Sequence, residues 1–152
     1  MNSKGEDSNK VVIRPFSLND YAPLLALWDA ACLPYRPQGR DSKASIASQI
    51  QQPNTLYLVA EQNNQMVGAV FGTHDGRKGW INRLAVIPSH QRQGIARHLV
   101  EELEQRFSAI GIDIVACLIE DWNHDSIAAF KKLGYLQHKD IFYFSKRKNE
   151  QV

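Results

Sequence analysis

The sequence predicts an α+β fold, loosely α/β: a mixed central sheet with helices on both faces. Three observations carry that expectation. Two runs rich in β-branched and aromatic residues, "TLYLVAE" (55–61) and "QMVGAVFGT" (65–73), are joined across Asn63-Asn64, the chemistry of a β-hairpin. An apolar run, a helical pattern and a second apolar run then span residues 79–119. Such a strand–helix–strand unit needs a parallel pair with a right-handed crossover. Within that helix Ile95, Leu99, Leu103 and Phe107 recur every four residues and make one apolar face.

The other elements follow in order. "VVIRPF" (11–16) is a short β-branched strand stopped by Pro15. "SLNDYAPLLALWDAAC" carries Leu24, Leu25, Leu27 and Trp28 at helical spacing, with Ser17 or Asn19 as its N-cap. "LPYRPQGRD" (33–41) holds two prolines and a glycine and reads as a loop. A short helix follows over 42–51, with Ile46 and Ile50 four apart. After the hairpin, "HDGRK" turns the chain into "GWINRLAVI" (79–87). In the long helix Glu102 and Arg106 are placed for an i,i+4 pair, and Gly111 ends it. "IDIVACLI" (112–119) is nearly all apolar, as a strand buried on both faces would be. Residues 123–133 form a further helix closed by Gly134, and "IFYFS" (141–145) supplies a last strand. The expected order is therefore β-α-α-β-β-β-α-β-α-β. No repeat or linker interrupts residues 11–147, so one domain is expected there, with a polar leader over 1–10 and a tail over 148–152.

Composition excludes several function classes. Of 152 residues, 43% are hydrophobic and 22% charged, the balance of an ordinary globular protein. The net charge of +2 comes from 18 basic and 16 acidic residues spread along the chain, which argues against wrapping nucleic acid or coating a membrane. The one basic cluster, "SKRK" (145–148), reads as a solvated tail. No apolar run approaches the roughly 20 residues that span a bilayer, and "MNSKGEDSNK" lacks the apolar core of a secretory signal. Cys32 and Cys117 read as two buried free thiols in a reducing compartment, so a cytoplasmic location is expected. The five histidines show no ligand spacing, so no metal is expected.

Chemistry concentrates in "SHQRQGIARHL" (89–99), where an extended segment becomes a helix. A helix N-terminus presents unpaired N–H groups and a positive dipole end, a ready site for a phosphate. Gly94 has no Cβ to hold a phosphate oxygen off the backbone, and Ala96 is nearly as small. Gln91, Arg92, Gln93 and Arg97 add donors around the same point. The segment alone also fits a plain exposed strand-to-helix turn. No G-x-x-x-x-G-K-[ST] string occurs, and a dinucleotide fingerprint needs more glycines than this turn has.

"LAVIPSHQRQGIARHLVEELE" resembles motif A of the GNAT superfamily of N-acetyltransferases, with core Q/R-x-x-G-x-G/A matched by Gln91 to Ala96. "NHDSIAAFKKLGY" (123–135) is similar to a second segment of that family, N-x-x-A-x-x-x-[YF]-x-K-x-G-[FY]. The resemblance covers residues 11–147 and includes the "GW-x-N-x-LAV" pattern of a bacterial subgroup. It implies acetyl-CoA as co-substrate, with its pyrophosphate on the turn from Gln91 through Gly94, Ile95 and Ala96 to Arg97. It further implies pantetheine along Leu84, Ala85 and Val86, with residues 79–87 and 112–119 splayed apart. Asn123 and Phe130 are carried over as contacts of the same ligand.

The implied reaction is acetyl transfer from a thioester to a primary amine by direct attack in a ternary complex. The amine must lose a proton, and the oxyanion needs a donor. The resemblance assigns that donor role to the Val86 N–H. The general base and acid stay unassigned. Asn82, Arg83 and Leu118 stand where many relatives carry acids, and Glu120, Asp121 and Asp75 are the remaining candidates. Phe130 stands where many relatives have a tyrosine that protonates the departing thiolate, and its other role is a core aromatic. Ser126, Tyr135 and Tyr143 are alternative hydroxyls. If the missing acid limits turnover, Phe130→Tyr raises the rate, provided its hydroxyl reaches the sulfur. Two function classes follow: an active N-acetyltransferase, or a catalytically weak module that binds acetyl-CoA as a sensor or structural ligand.

The loop 33–41 borders the acceptor cleft in this family. Arg36 and Arg40 there offer two guanidinium forks for a carboxylate, which suggests an amino acid or peptide as acceptor. The alternative is a solvated loop whose arginines pair with Asp41 or Asp29. Either a monomer or a homodimer fits the sequence.

Overall fold

In the computed structural model, which describes residues 10–152, one five-stranded sheet has the order β1-β2-β3-β4-β5. The strands are β1 (Val12–Pro15), β2 (Thr55–Gln62), β3 (Gln65–His74), β4 (Gly79–Val86) and β5 (Val115–Cys117). The first four are antiparallel, and β5 runs parallel to β4. The predicted leader lies outside the described residues apart from Lys10. Among the described residues no helix is long and apolar enough to cross a membrane.

The hairpin closes where the sequence places it. Asn63 and Asn64 take φ of 52° and 60°, the left-handed pair that a two-residue turn matching the strand twist requires. Helices α1 (Tyr21–Ala30) and α2 (Lys43–Ile50) cover one face of the sheet, burying Leu24, Leu27, Trp28 and Ile46 against Val59 and Phe71. Helices α3 (Ile95–Ala109) and α4 (His124–Lys132) belong to the opposite face. There Leu99, Leu103 and Phe107 are fully buried with Leu58, Val67 and Val70, so the four-residue period is the core face of α3. A Cβ on Gly72 would stand 2.7 Å from a Leu103 methyl. The missing side chain is what lets α3 lie this close to β3.

Four expectations need correction. The helix expected from Ser17 begins instead at Tyr21. Ser17 to Asp20 form a capping turn in which the Ser17 N–H donates to the Asp20 carboxylate at 2.8 Å, and Arg14 holds that carboxylate from β1. The 112–119 strand shrinks to Val115–Cys117, with Ile114 and Leu118 exposed, because β5 is an edge strand covered less completely than a central one. Residues 141–145 form no strand. Cys32 is exposed at the end of α1, while Cys117 is half-buried with its thiol pushed up to about 11 by burial. The Glu102–Arg106 pair forms as expected, at 3.1 Å.

Candidate active site

The parallel pairing of β4 with β5 spans three positions only: Gly79 with Val115, Trp80 with Ala116 and Ile81 with Cys117. At the next residue the β3–β4 register slips, pairing Gly72 with Ile81 but Phe71 with Arg83, so Asn82 is the extra residue of a bulge. A bulge bends its strand and increases the local twist. Here the bulge coincides with the end of the β4–β5 pairing, so β4 runs on past Ile81 with a gap in the ladder on that side.

The backbone of β4 past the bulge has one side committed and one side free. The Ile87 N–H donates to Val67 on β3 at 2.9 Å, and polar groups alternate sides along a strand. Ala85 and Arg83 therefore also face β3, whereas Leu84 and Val86 point their N–H and C=O groups into the gap. Of the three residues expected along pantetheine, Ala85 drops out as a backbone partner. The Val86 carbonyl accepts from Gln91 Nε2 at 3.1 Å, which ties the strand to the turn and leaves the Val86 N–H aimed into the gap.

The gap ends on the N-terminus of α3. The helical ladder begins with the His98 N–H donating to the Gly94 carbonyl at 3.0 Å, so the N–H groups of Ile95, Ala96 and Arg97 have no helical acceptor. Arg92 and Gly94 both adopt left-handed backbone, with φ of 63° and 83°. Alternating hands of this kind turn successive N–H groups into an anion-binding concavity. For Arg92 the conformation costs roughly 1–2 kcal/mol, and strain of this kind clusters at functional sites. A Cβ placed on Gly94 meets nothing within 4 Å, so the space over the turn is open. Arg92, Gln93 and Arg97 are exposed around it, while the Ile95 side chain is buried and offers only its backbone. This fits a diphosphate ester continued by an extended amide chain.

A separate cavity of about 350 Å³ opens at the same bulge, lined by Arg40, Asp41, Gln49, Tyr57, Asn82 and Arg83, with Phe71 beneath. The rings of Tyr57 and Phe71 stack at 3.8 Å, and the Tyr57 hydroxyl donates to Gln49 Oε1 at 2.9 Å. Burial first, then the Asp41 charge, pushes that hydroxyl up to about 12. Arg83 donates to Asp41 Oδ2 at 3.3 Å and to the Pro34 carbonyl at 2.8 Å, and its guanidinium lies 4.4 Å over the Trp28 ring. Burial lowers the pKa of Arg83, and the charge of Asp41 opposes that shift. Asp41, itself buried, also accepts the Arg36 N–H at 2.7 Å. This cluster fixes loop 33–41 to β4.

Comparison with known proteins places the fold in a family. The model of the acetyltransferase (GNAT) family matches residues 24–135. The chain belongs to that family. Solved structures similar to it include an N-acetyltransferase from Thermoplasma acidophilum in complex with coenzyme A, at 18% identity, covering 82% of this chain and 88% of that one with TM-score 0.73. The ribosomal-protein-S18-alanine N-acetyltransferase of Escherichia coli is 23% identical over 82% of this chain and 77% of its own, with TM-score 0.70. An aminoglycoside acetyltransferase from an uncultured soil metagenomic sample, in complex with sisomicin, is 19% identical over 90% and 97%, with TM-score 0.73. These likenesses show that the GNAT fold is shared.

Against the GNAT pattern, two carried-over residues have other duties. The Asn123 side chain caps α4, accepting the Ser126 N–H at 3.3 Å. Phe130 is 6% exposed in the α3-side core, edge-on to Tyr135 at 5.0 Å, so it packs rather than lining the gap. The Tyr135 hydroxyl is buried and, among the described residues, has no hydrogen-bond partner. Phe130→Tyr would bury a further hydroxyl in the same core. The expected result is a loss of about 1–3 kcal/mol of stability with no gain in turnover. Urea denaturation and a rate assay check it, and a faster, equally stable variant would show that the ring reaches the reacting sulfur.

The base candidates fare no better. Asp75 accepts the Arg77 and Lys78 N–H groups at 2.9 and 2.8 Å and is a turn carboxylate held below its usual range by those bonds. Glu120 and Asp121 are exposed in the segment after β5. Of the two loop arginines, Arg40 lines the cavity, 3.9 Å from Asp41, and Arg36 does not. Sequence reasoning missed the Arg83–Asp41 pair and the Tyr57–Phe71 floor. The only signal was that Arg83 stood where relatives often carry an acid.

Proposed function

We propose that this chain is an N-acetyltransferase that takes acetyl-CoA on the Gln91–Arg97 turn and acetylates the primary amine of a carboxylate-bearing acceptor, an amino acid or a peptide. The observation that carries the reading is the free side of β4: Leu84 and Val86 face a gap that leads to the strained turn at Arg92 and Gly94. The co-substrate supplies an activated acetyl group. Leu84 pairs with amides of the extended arm, and the N–H groups at Gly94 to Arg97 hold the diphosphate. The Val86 N–H donates to the thioester oxygen as charge develops there. The acceptor lies over Tyr57 and Phe71, its carboxylate on Arg40 and the outer edge of Arg83. Its ammonium passes a proton to water before attack, since Asp41, the one carboxylate lining the cavity among the described residues, is already engaged by Arg83 and the Arg36 N–H.

The burial of Phe130 and the engagement of Asp41 favour one competing reading, a module that binds acetyl-CoA without turnover. Release of free thiol with a panel of amines separates the two, because a binder shows saturation and no release. Arg40→Ala should raise KM several-fold for a carboxylate acceptor and leave KM for acetyl-CoA unchanged, while Arg36→Ala matches the parent. Equal effects of the two variants, or acceptors that prove uncharged or polycationic, would remove the arginine from the acceptor site.

A further inference from the structure

The turn from Gln91 to Arg97 holds a shape that its own residues resist. Arg92 takes φ 63°, a backbone conformation that L-residues avoid. Strain of that kind persists only where the surrounding structure over-determines it. Two anchors tie the approach to the turn onto the sheet: the Ile87 N–H on the Val67 carbonyl, and Gln91 Nε2 on the Val86 carbonyl. A third anchor comes from a distant part of the chain. The His90 ring reaches the end of β2, where its Nε2 lies 2.8 Å from Gln62 Oε1, while its Nδ1 lies 2.8 Å from the Ser89 hydroxyl. An amide oxygen only accepts, so Nε2 carries the proton and Nδ1 accepts from Ser89. Both ring nitrogens are spent inside the fold. Ser89 carries the link onward, because its carbonyl accepts from Gln93 Nε2 at 3.4 Å, between the left-handed residues Arg92 and Gly94. The far end is firm as well. Gln62 is the last residue of β2, pairs with Gln65 across the hairpin, and directly precedes the left-handed Asn63-Asn64 pair. His90 and Gln62 are both half-buried, which strengthens the bond relative to one in open water.

We propose that His90 is a positioning residue for the co-substrate: through Gln62 it braces the turn on the β2–β3 hairpin and keeps the N–H groups of Gly94 to Arg97 preset for a diphosphate. The inference rests on the acetyl-CoA site proposed above. His90 acts through the backbone of the turn and takes no part in the chemistry. When only a fraction of the chains holds the competent conformation, apparent affinity falls by that fraction. Without the brace Arg92 relaxes out of the left-handed region, and the preset fraction drops. The occupied turn is the same with or without the brace. The loss therefore belongs to the association rate, and the dissociation rate stays as it was. A residue that held the ligand itself would change the dissociation rate instead.

Stopped-flow binding of coenzyme A to the full chain tests the brace from both ends. His90→Phe keeps a ring and removes both hydrogen bonds, and Gln62→Leu removes the acceptor. Each should slow association about three- to tenfold, the scale of one net hydrogen bond, with dissociation unchanged. At saturating acetyl-CoA kcat should also be unchanged, so the effect appears in KM alone. The double variant should be no slower than either single one, because both remove the same bond. His90→Gln, which keeps a donor near the Nε2 position, should recover most of the rate. Normal association in both single variants, additive losses in the double variant, a loss carried by dissociation, or no recovery in His90→Gln would overturn the brace. If the parent still binds coenzyme A and Gly94→Val weakens it, the acetyl-CoA reading survives that failure. A parent chain that binds no coenzyme A overturns both.

Discussion

Gly94→Val should weaken coenzyme A binding at least tenfold, about 1.4 kcal/mol. Two effects act together there. The side chain enters the open space above the turn, where a diphosphate oxygen would approach the N–H groups. A β-branched residue is also a poor occupant of φ 83°, a conformation that costs L-residues about 1–2 kcal/mol. Gly94→Ala separates the effects, since it carries the strain with a much smaller side chain. Calorimetry and thermal melts should show both variants destabilised, with valine losing clearly more affinity. Unchanged affinity in a folded Gly94→Val chain would remove the ligand from this turn.

Arg83→Met should destabilise the fold by about 3 kcal/mol, the scale for breaking a buried pair by removing one partner. Among the described residues Asp41 would keep only the Arg36 N–H at 2.7 Å and the more distant Arg40, and the Pro34 carbonyl would lose its Arg83 donor. Methionine refills the apolar contact with Trp28, so the deficit isolates the charge. Asp41→Leu in the same chain should recover part of the loss, because the uncompensated carboxylate is then gone. The cost also reaches function. Loop 33–41 would lose its tie to β4, so the acceptor KM should rise with little change in KM for acetyl-CoA. A loss below about 1 kcal/mol, the ordinary surface-pair range, would mean that the loop is held by other contacts.

What was legible in the sequence was mostly local. The hairpin followed from Asn63-Asn64, the α3 face from the period of Ile95, Leu99, Leu103 and Phe107, and the strand-to-helix turn from small and polar residues at one helix start. The parallel pair was legible, but the place where its pairing ends was not. Asn82 gives no sign of being a bulge residue until the β3 register is known. Asp41 and Arg83 lie 42 positions apart, and neither belongs to a motif, so only the folded chain brings them together. Phe130 was readable as either a ligand contact or a core ring, and its burial decides for the core. The "IFYFS" run illustrates the limit most plainly. Its composition reads as a strand, yet the folded chain gives it no place in the sheet.

On the proposed function, β4 and the turn after it form one continuous binding surface for acetyl-CoA. A crystal of the chain grown with coenzyme A tests it most directly. The expected result is diphosphate oxygens within hydrogen-bond distance of the N–H groups of Gly94 to Arg97, with pantetheine amides on Leu84 and the thiol near the Val86 N–H. Coenzyme A ordered elsewhere, or a gap between β4 and β5 filled by the chain's own segment while the nucleotide lies on another face, would contradict it.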